Sequence, residues 1–295
     1  MPELPEVEAL ALDLRGRLTD RAIVKVHVAA FSALKTFDPP LSALEGTLVE
    51  DVTRHGKFLD IRTSAGLHLV LHLARAGWVR WRDEVPTTPP KPSNKSPLAV
   101  RVVLDPPDGS EVPSGLDITE AGTKKSLAMY VVRSPGDVPG IASLGPDPLV
   151  DDFTPERLRE ILTREGRKQL KGVLRHQGTI AGIGNAYSDE LLHAARMSPY
   201  KPANSLTDDE LATLYNAIRT VLGDAVARSR GLAASELKGE KKSHLAVHGQ
   251  TGKPCPVCGD TVREVSFADS SLQYCATCQT GGKPLADRRM SKLLR

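Results

Sequence analysis

The sequence predicts an α+β protein with its strands first and its helices second. Three observations carry this. Between residues 22 and 133, six short β-branched segments are separated by turn residues. After about residue 150 the apolar residues recur at helical spacing. Near the C-terminus, two C-x-x-C pairs mark a small module that depends on its cysteines.

The chain opens "MPELPEVEAL", and residues 5–19 read as a helix. Pro5 suits the first turn, where a missing N–H costs nothing, and Val7, Leu10, Leu14 and Leu18 form the apolar stripe. The strand segments are "AIVKVHV", "KFLDIRT", "LHLVLHL", "GWVRW", "AVRVVLD" and "LAMYVVR", a number and spacing that suit a sandwich or a barrel. "DEVPTTPPKPSNKSP" is too rich in proline for a strand and reads as a surface loop. "LGPDPLVDDFT" marks the change to helices. "TPERLREILTRE" starts with Thr154 as cap and Pro155 in the first turn. "GRKQLKGVLRHQ", "NAYSDELLHAARM" and "TDDELATLYNAIRTVLGDAVARS" follow, the last with Thr207 and Glu210 at capping-box spacing. The expected organisation is a β domain over 1–135, a linker over 136–150, a helical domain over 151–250, a cysteine module over 251–280 and a basic tail over 281–295.

A chain of 295 residues with 40% apolar content can build such cores. Its net charge of +3 hints only weakly at an anionic partner. The basic stretches "SELKGEKKSH" and "GGKPLADRRMSKLLR" suit nucleic acid, although basic runs are more often solvated surface. No apolar run approaches the ~20 residues of a membrane span. The N-terminus is acidic and amphipathic, unlike a secretion signal. The expectation is a monomer in the cytoplasm, nucleoid-associated in a bacterium, with no membrane partner. Disulfides are not expected there, so the cysteines need another role.

Cys255, Cys258, Cys275 and Cys278 are all the cysteines of the chain. Two C-x-x-C pairs sixteen residues apart have zinc-ribbon spacing, with the intervening segment free to fold as a hairpin. Four thiolates leave no open coordination position, so a Zn2+ ion here is structural, one per chain. Redox pairs or two disulfides are the competing reading.

"QGTIAGIGNAYSDELL" joins two helical segments through Gly182 and Gly184. Glycine permits positive φ and close approach. Asn185 begins the second helix, whose terminal amides form a ready anion site. A helix–turn–helix on a phosphate backbone and a plain tight turn between packed helices fit the spacing equally.

Taken together, "PELPEVE", "AGIGNAYSDELL" and the ribbon behind "VHGQTGKPCPVCG" resemble the formamidopyrimidine-DNA glycosylase and endonuclease VIII family, from residue 2 to about 279. The resemblance implies an N-terminal β-sandwich with flanking helices, then a helix–two-turn–helix domain carrying the zinc hairpin, with damaged DNA running between them. It implies excision of a damaged base and nicking of the strand at the abasic site.

Pro2 becomes the N-terminus once Met1 is removed, and its nitrogen is then a secondary amine. An α-amine titrates near pH ~8, which leaves a usable neutral fraction. It can attack C1′ and expel the base, giving an iminium ion in the manner of a catalytic lysine. Glu3 is the matching proton shuttle, and Glu6 fits a supporting structural or electrostatic role. The plainer alternative is an ordinary helix start. Lys57 in "TRHGKFLDIRT" matches the family's hairpin lysine, which reaches a phosphate beside the lesion; a solvated strand-end lysine is the alternative. Lys171 and Asn185 match phosphate-contacting positions.

The chain departs from the pattern where the family reads its substrate. Relatives specific for oxidised guanine carry "HLGMSG", whose methionine fills the space of the flipped base. Here "HLARAG" puts Arg75 there, either filling the gap, pairing with the orphaned base, or pointing to solvent. "DITEAG" replaces the family's "DPRRFG", so Thr119 and Ala121 stand for its arginine and phenylalanine wedge and Glu120 adds a negative charge. Ser270 replaces a phosphate-clamping arginine, and "GLAASELKGEKKSHLAVHG" is short for an oxidised-guanine cap. These departures point away from 8-oxoguanine opposite cytosine and toward oxidised pyrimidines, abasic sites or single-stranded lesions. The alternative is a lesion- or abasic-site-binding protein of the same fold with little or no base excision. An RNA-binding zinc-ribbon protein has only charge in its favour.

Overall fold

The computed structural model describes residues 1–295 apart from 87, 94–95, 108–109, 122–124, 268–269 and 287–295. Much of the expected basic tail therefore lies outside the described residues. The chain divides into two compact units: residues 1–143 with 229–238, and residues 144–228 with 239–295.

The first unit begins with α1 (Leu4–Leu18) and continues through β1 (Ile23–Val28), β2 (Val49–His55), β3 (Phe58–Thr63), β4 (His68–His72), β5 (Gly77–Arg82), β6 (Leu98–Leu104), β7 (Gly115–Glu120), β8 (Ala128–Val132) and the short α2 (Pro139–Ala142). The strands form two four-stranded sheets, ordered β1-β6-β7-β5 and β2-β3-β4-β8, antiparallel throughout. Val26, Val79, Val102 and Ile118 from one sheet share a core with Val52, Ile61, Leu71 and Val131 from the other. This is a sandwich, with side chains of alternate residues meeting between the sheets. Val7, Leu10, Leu14 and Leu18 of α1 join that core, as do Ala234 and Leu237 from the returning segment. Trp78 Nε1 donates to Ala234 O at 2.8 Å and ties that segment down.

Two strands, β2 and β7, lie outside the six segments whose sequence reads as strand. Both carry charges, and those of β7 are buried. Asp117 is 3% exposed and takes both nitrogens of the Arg101 fork, at 2.7 and 3.0 Å, and Arg82 Nε at 2.9 Å. Burial opposes its ionisation, but the Arg101 and Arg82 hydrogen bonds outweigh it and hold its pKa below the usual carboxylate range. Glu120 is also buried. Its carboxylate accepts from Ser126 N at 2.7 Å and Leu127 N at 3.0 Å, so it does not present the outward charge its sequence position suggests.

The second unit contains α3 (Pro155–Glu165), α4 (Leu170–Arg175), α5 (Asn185–Ala194), α6 (Asp208–Ser229), most of α7 (Leu237–His244), the hairpin β9 (Val262–Ser266) and β10 (Ser271–Cys275), and α8 (Ala276–Thr280). The expected caps form: Arg157 N donates to Thr154 Oγ1 at 3.2 Å, and Thr207 and Glu210 bond reciprocally at 2.9 and 3.3 Å. Helix α7 is unexpected, since Leu237 is its one buried residue. Among the described residues no helix is long and apolar enough to cross a membrane.

Helix α5 ends in a Schellman arrangement. Met197 N donates to Leu192 O at 2.9 Å and Arg196 N to His193 O at 3.0 Å, with Arg196 at φ +52°. Arg196 is exposed, so its side chain gives little back for the left-handed backbone. Arg196→Gly is expected to raise the unfolding free energy by about 1 kcal/mol, read from the denaturant midpoint at unchanged slope.

Candidate active site, nucleic-acid interface and metal centre

Pro2 and Glu3 are buried at the mouth of α1. Glu3 is the N-cap and forms a capping box with Glu6, its backbone N–H donating to Glu6 Oε2 at 2.8 Å. Glu6 therefore fixes the backbone of Glu3. Position along the sheet is set by two charged contacts. Arg54 Nε of β2 donates to Glu8 Oε2 at 2.7 Å, and Arg15 donates to Asp51 Oδ1 at 2.7 Å and to Val52 O at 2.8 Å. Glu8 thus meets the end of β2 and Arg15 its earlier part, so α1 runs antiparallel to β2. Its N-terminus is set toward the turn that follows β2.

That turn is Gly56–Lys57, with Gly56 at φ +54° and Arg54 Nη1 donating to Gly56 O at 3.2 Å. Lys57 is 7% exposed, not a solvated strand-end lysine. Beside it lies His72, whose ring packs on Phe58 at a centroid distance of 4.6 Å. Burial pushes the His72 pKa down to about 4, and the Lys57 ammonium acts in the same direction. A neutral imidazole therefore faces a buried lysine. Arg54, Glu8 and His72 carry no sequence signal of their own; Arg54 and His72 stand inside the motifs that carry Lys57 and Arg75.

Arg75 is exposed at the tip of the turn from β4 to β5. Ala74 has φ +52°, a backbone that favours the glycine of "HLGMSG". At Gly77 an added Cβ would lie 2.1 Å from Leu73 O, so no larger residue fits there. Thr119 of β7 pairs across to Trp78 of β5 and Ala121 is exposed beyond β7; Gly122 lies outside the described residues.

In the second unit Gly182 takes φ +85°, as its place in the turn requires. Gly184 does not: it is the N-cap of α5 with φ −124° and ψ −155°, a backbone open to other residues. Gln177 braces the turn, with Nε2 donating to Ile183 O at 2.7 Å and Oε1 accepting from Gly182 N at 3.0 Å. Asn185 Nδ2 donates to Ser271 O at 2.8 Å, and its Oδ1 is buried without a hydrogen-bond partner. Lys171 is buried beneath the start of α5. Its ammonium donates to Asp189 Oδ1 at 2.5 Å, Ser188 Oγ at 2.9 Å and Asn185 O at 3.1 Å. An ammonium so engaged positions Asn185 from within.

The four cysteine sulfurs lie within 4.8 Å of one another, with Cys255–Cys278 at 3.9 Å and Cys258–Cys275 at 3.4 Å. Tetrahedral zinc, with Zn–S about 2.3 Å, sets its sulfurs about 3.8 Å apart. Burial pushes the Cys275 and Cys278 thiols up, so keeping all four as thiolates takes a compensating cation. The residues fit one structural zinc ion. Val247, Val262 and the turn at Gly259, φ +78°, close the module around it.

His72 supplies a pH test. A lowered folded-state pKa means that its neutral form favours the fold; that contribution is whole above 6.5 and lost as pH falls toward about 4. Two-dimensional NMR of the imidazoles is expected to show His72 still neutral at pH 5. Lys57→Gln raises its midpoint but leaves it below 6.5, because burial is the larger cause.

Comparison with known proteins agrees with this geometry. The family model "Formamidopyrimidine-DNA glycosylase N-terminal domain" matches residues 1–114, "Formamidopyrimidine-DNA glycosylase H2TH domain" matches 144–236, and "Zinc finger found in FPG and IleRS" matches 252–281. A formamidopyrimidine-DNA glycosylase of Symbiobacterium thermophilum is 35% identical over 98% of this chain and 93% of its own length. The crystal structure of the MutM (Fpg) protein from Thermus thermophilus aligns with TM-score 0.77 and 31% identity, covering 96% of this chain and 100% of the other. Lactococcus lactis Fpg in complex with N7-benzyl-Fapy-dG DNA aligns with TM-score 0.81 and 25% identity, covering 95% and 100%. With its sandwich, its turn before α5 and its four-cysteine hairpin each matched in order, the chain belongs to the formamidopyrimidine-DNA glycosylase family.

Proposed function

We propose that the chain is a base-excision DNA glycosylase that also nicks the abasic site, acting as a monomer through the nitrogen of Pro2 after loss of Met1. The observation that carries this is the capped mouth of α1. Pro2 and Glu3 are buried there, and Glu6 and the Arg54–Glu8 contact fix them on the side of Lys57. The Pro2 nitrogen forms a bond to C1′ of the damaged nucleotide as the bond to the base breaks; the base leaves with that electron pair and takes up the proton that the amine gives up. Glu3 protonates the sugar ring oxygen as the ring opens, giving the iminium ion. That cation makes the C2′ hydrogen acidic. A base removes it, the electrons form a C=C bond, and the C3′–O bond breaks to release the phosphate. Lys57 holds the phosphate beside the lesion. In the second unit, Gly182, Gly184 and Asn185 present the turn to the backbone, with Lys171 supporting it from below.

Substrate choice follows from the side chains at the reading positions. Arg75 is exposed and carries a fork of donors, and the segment ending β7 offers Thr119 and Ala121 rather than an arginine and an aromatic. Neither Thr119 nor Ala121 can stack on the opposite strand, so discrimination by the opposite cytosine is weak. Oxidised pyrimidines and abasic sites are the favoured substrates.

The test compares protein lacking Met1 with protein that retains it, on duplexes carrying thymine glycol, 8-oxoguanine opposite cytosine, or an abasic site. Only the processed protein is expected to release base and nick the strand, with thymine glycol and abasic DNA cleaved faster than 8-oxoguanine. Glu3→Gln lowers the rate by about 100-fold or more. Binding without cleavage by the processed protein favours the lesion-binding alternative.

A further inference from the structure

Helix α5 places Asn185, Asp189 and His193 four residues apart, hence on one face. Each bonds the cysteine module. Asn185 Nδ2 donates to Ser271 O at 2.8 Å, Gln273 N donates to Asp189 Oδ2 at 3.2 Å, and His193 Nε2 lies 3.2 Å from Cys255 Sγ. His193 is 5% exposed and Cys255 2%. Of these three bonds, those of Asn185 and Asp189 end on the backbone of β10, and that of His193 ends on a metal-ligating sulfur. A dication held by four thiolates carries net negative charge. Buried sulfur bearing that charge is stabilised by an N–H donor and costs free energy without one.

We propose that His193 is a positioning residue of the zinc centre, donating Nε2–H to Cys255 Sγ and so retaining the ion. The imidazole spreads the charge of the sulfur and fixes its direction from a rigid helix. Metal retention then depends on the same helix that carries Asn185 at its start. This rests on zinc binding by the four cysteines and not on the lyase reading.

Two substitutions separate this role from packing. His193→Phe keeps a ring and removes the donor; His193→Gln keeps an N–H donor and removes the ring. Zinc transfer from the folded full-length protein to the chelator 4-(2-pyridylazo)resorcinol is followed by absorbance. The expected result is loss of zinc affinity by about 10–100-fold in His193→Phe, with substantial recovery in His193→Gln. In the cobalt-substituted protein, the sulfur-to-cobalt charge-transfer band is expected to shift in His193→Phe and return toward its original position in His193→Gln. Zinc retention by His193→Phe equal to the original protein overturns the proposal. Equal loss in both variants with an unshifted cobalt band also overturns it, because the ring would then serve packing alone.

Discussion

Arg54 donates to Glu8 from the last part of β2, and the position of the first residues of the chain follows from that contact. The Arg54 side chain is 7% exposed, so its charge has no ready substitute for the carboxylate in water. The same guanidinium reaches Gly56 O and so holds the turn that carries Lys57. One side chain thereby sets both the helix mouth and the lysine turn. Terminal residues of a domain are usually loose. Here the capping box and the ion pair keep Pro2 and Glu3 buried, which a reactive terminus requires.

The second unit solves a related problem with polar groups inside a helix. Asp189 and Glu190 of α5 are buried carboxylates, and both are occupied: Asp189 by Lys171, His248 and Gln273 N, Glu190 by the amides of Ala246, Val247 and His248. Burial pushes the Glu190 pKa up even with three amides opposing it. Buried groups of this kind stabilise only when satisfied, and they then fix one arrangement of the elements they join. The elements joined are α5, the segment before the first cysteine and the hairpin strand β10. A small module with few apolar residues is thus held by directed bonds as well as by its metal.

Much of this is legible in the sequence because it rests on local rules. Caps at Thr154 and Thr207, proline at a first turn and C-x-x-C pairs act within a few residues. What the sequence hides rests on partners far apart along the chain. β7 is obscured because Asp117 looks like a surface residue until Arg101 and Arg82 are placed beside it. Glu120 looks exposed until Ser126 and Leu127 turn their amides toward it. His193 reads as an ordinary residue of a helix, and only the fold brings it to Cys255, 62 residues away. The candidate nucleophile and the metal site are therefore readable, whereas the side chains that hold them in place are not.

The proposed covalent intermediate forms on the nitrogen of Pro2. Borohydride reduction during reaction with abasic-site DNA converts an iminium ion to a stable amine, and tandem mass spectrometry of the digested adduct locates it. The expected product is an N-terminal peptide lacking Met1 with the sugar remnant on Pro2. A remnant on Lys57 or another lysine, or no adduct from Met1-free protein that binds the same DNA, would contradict it.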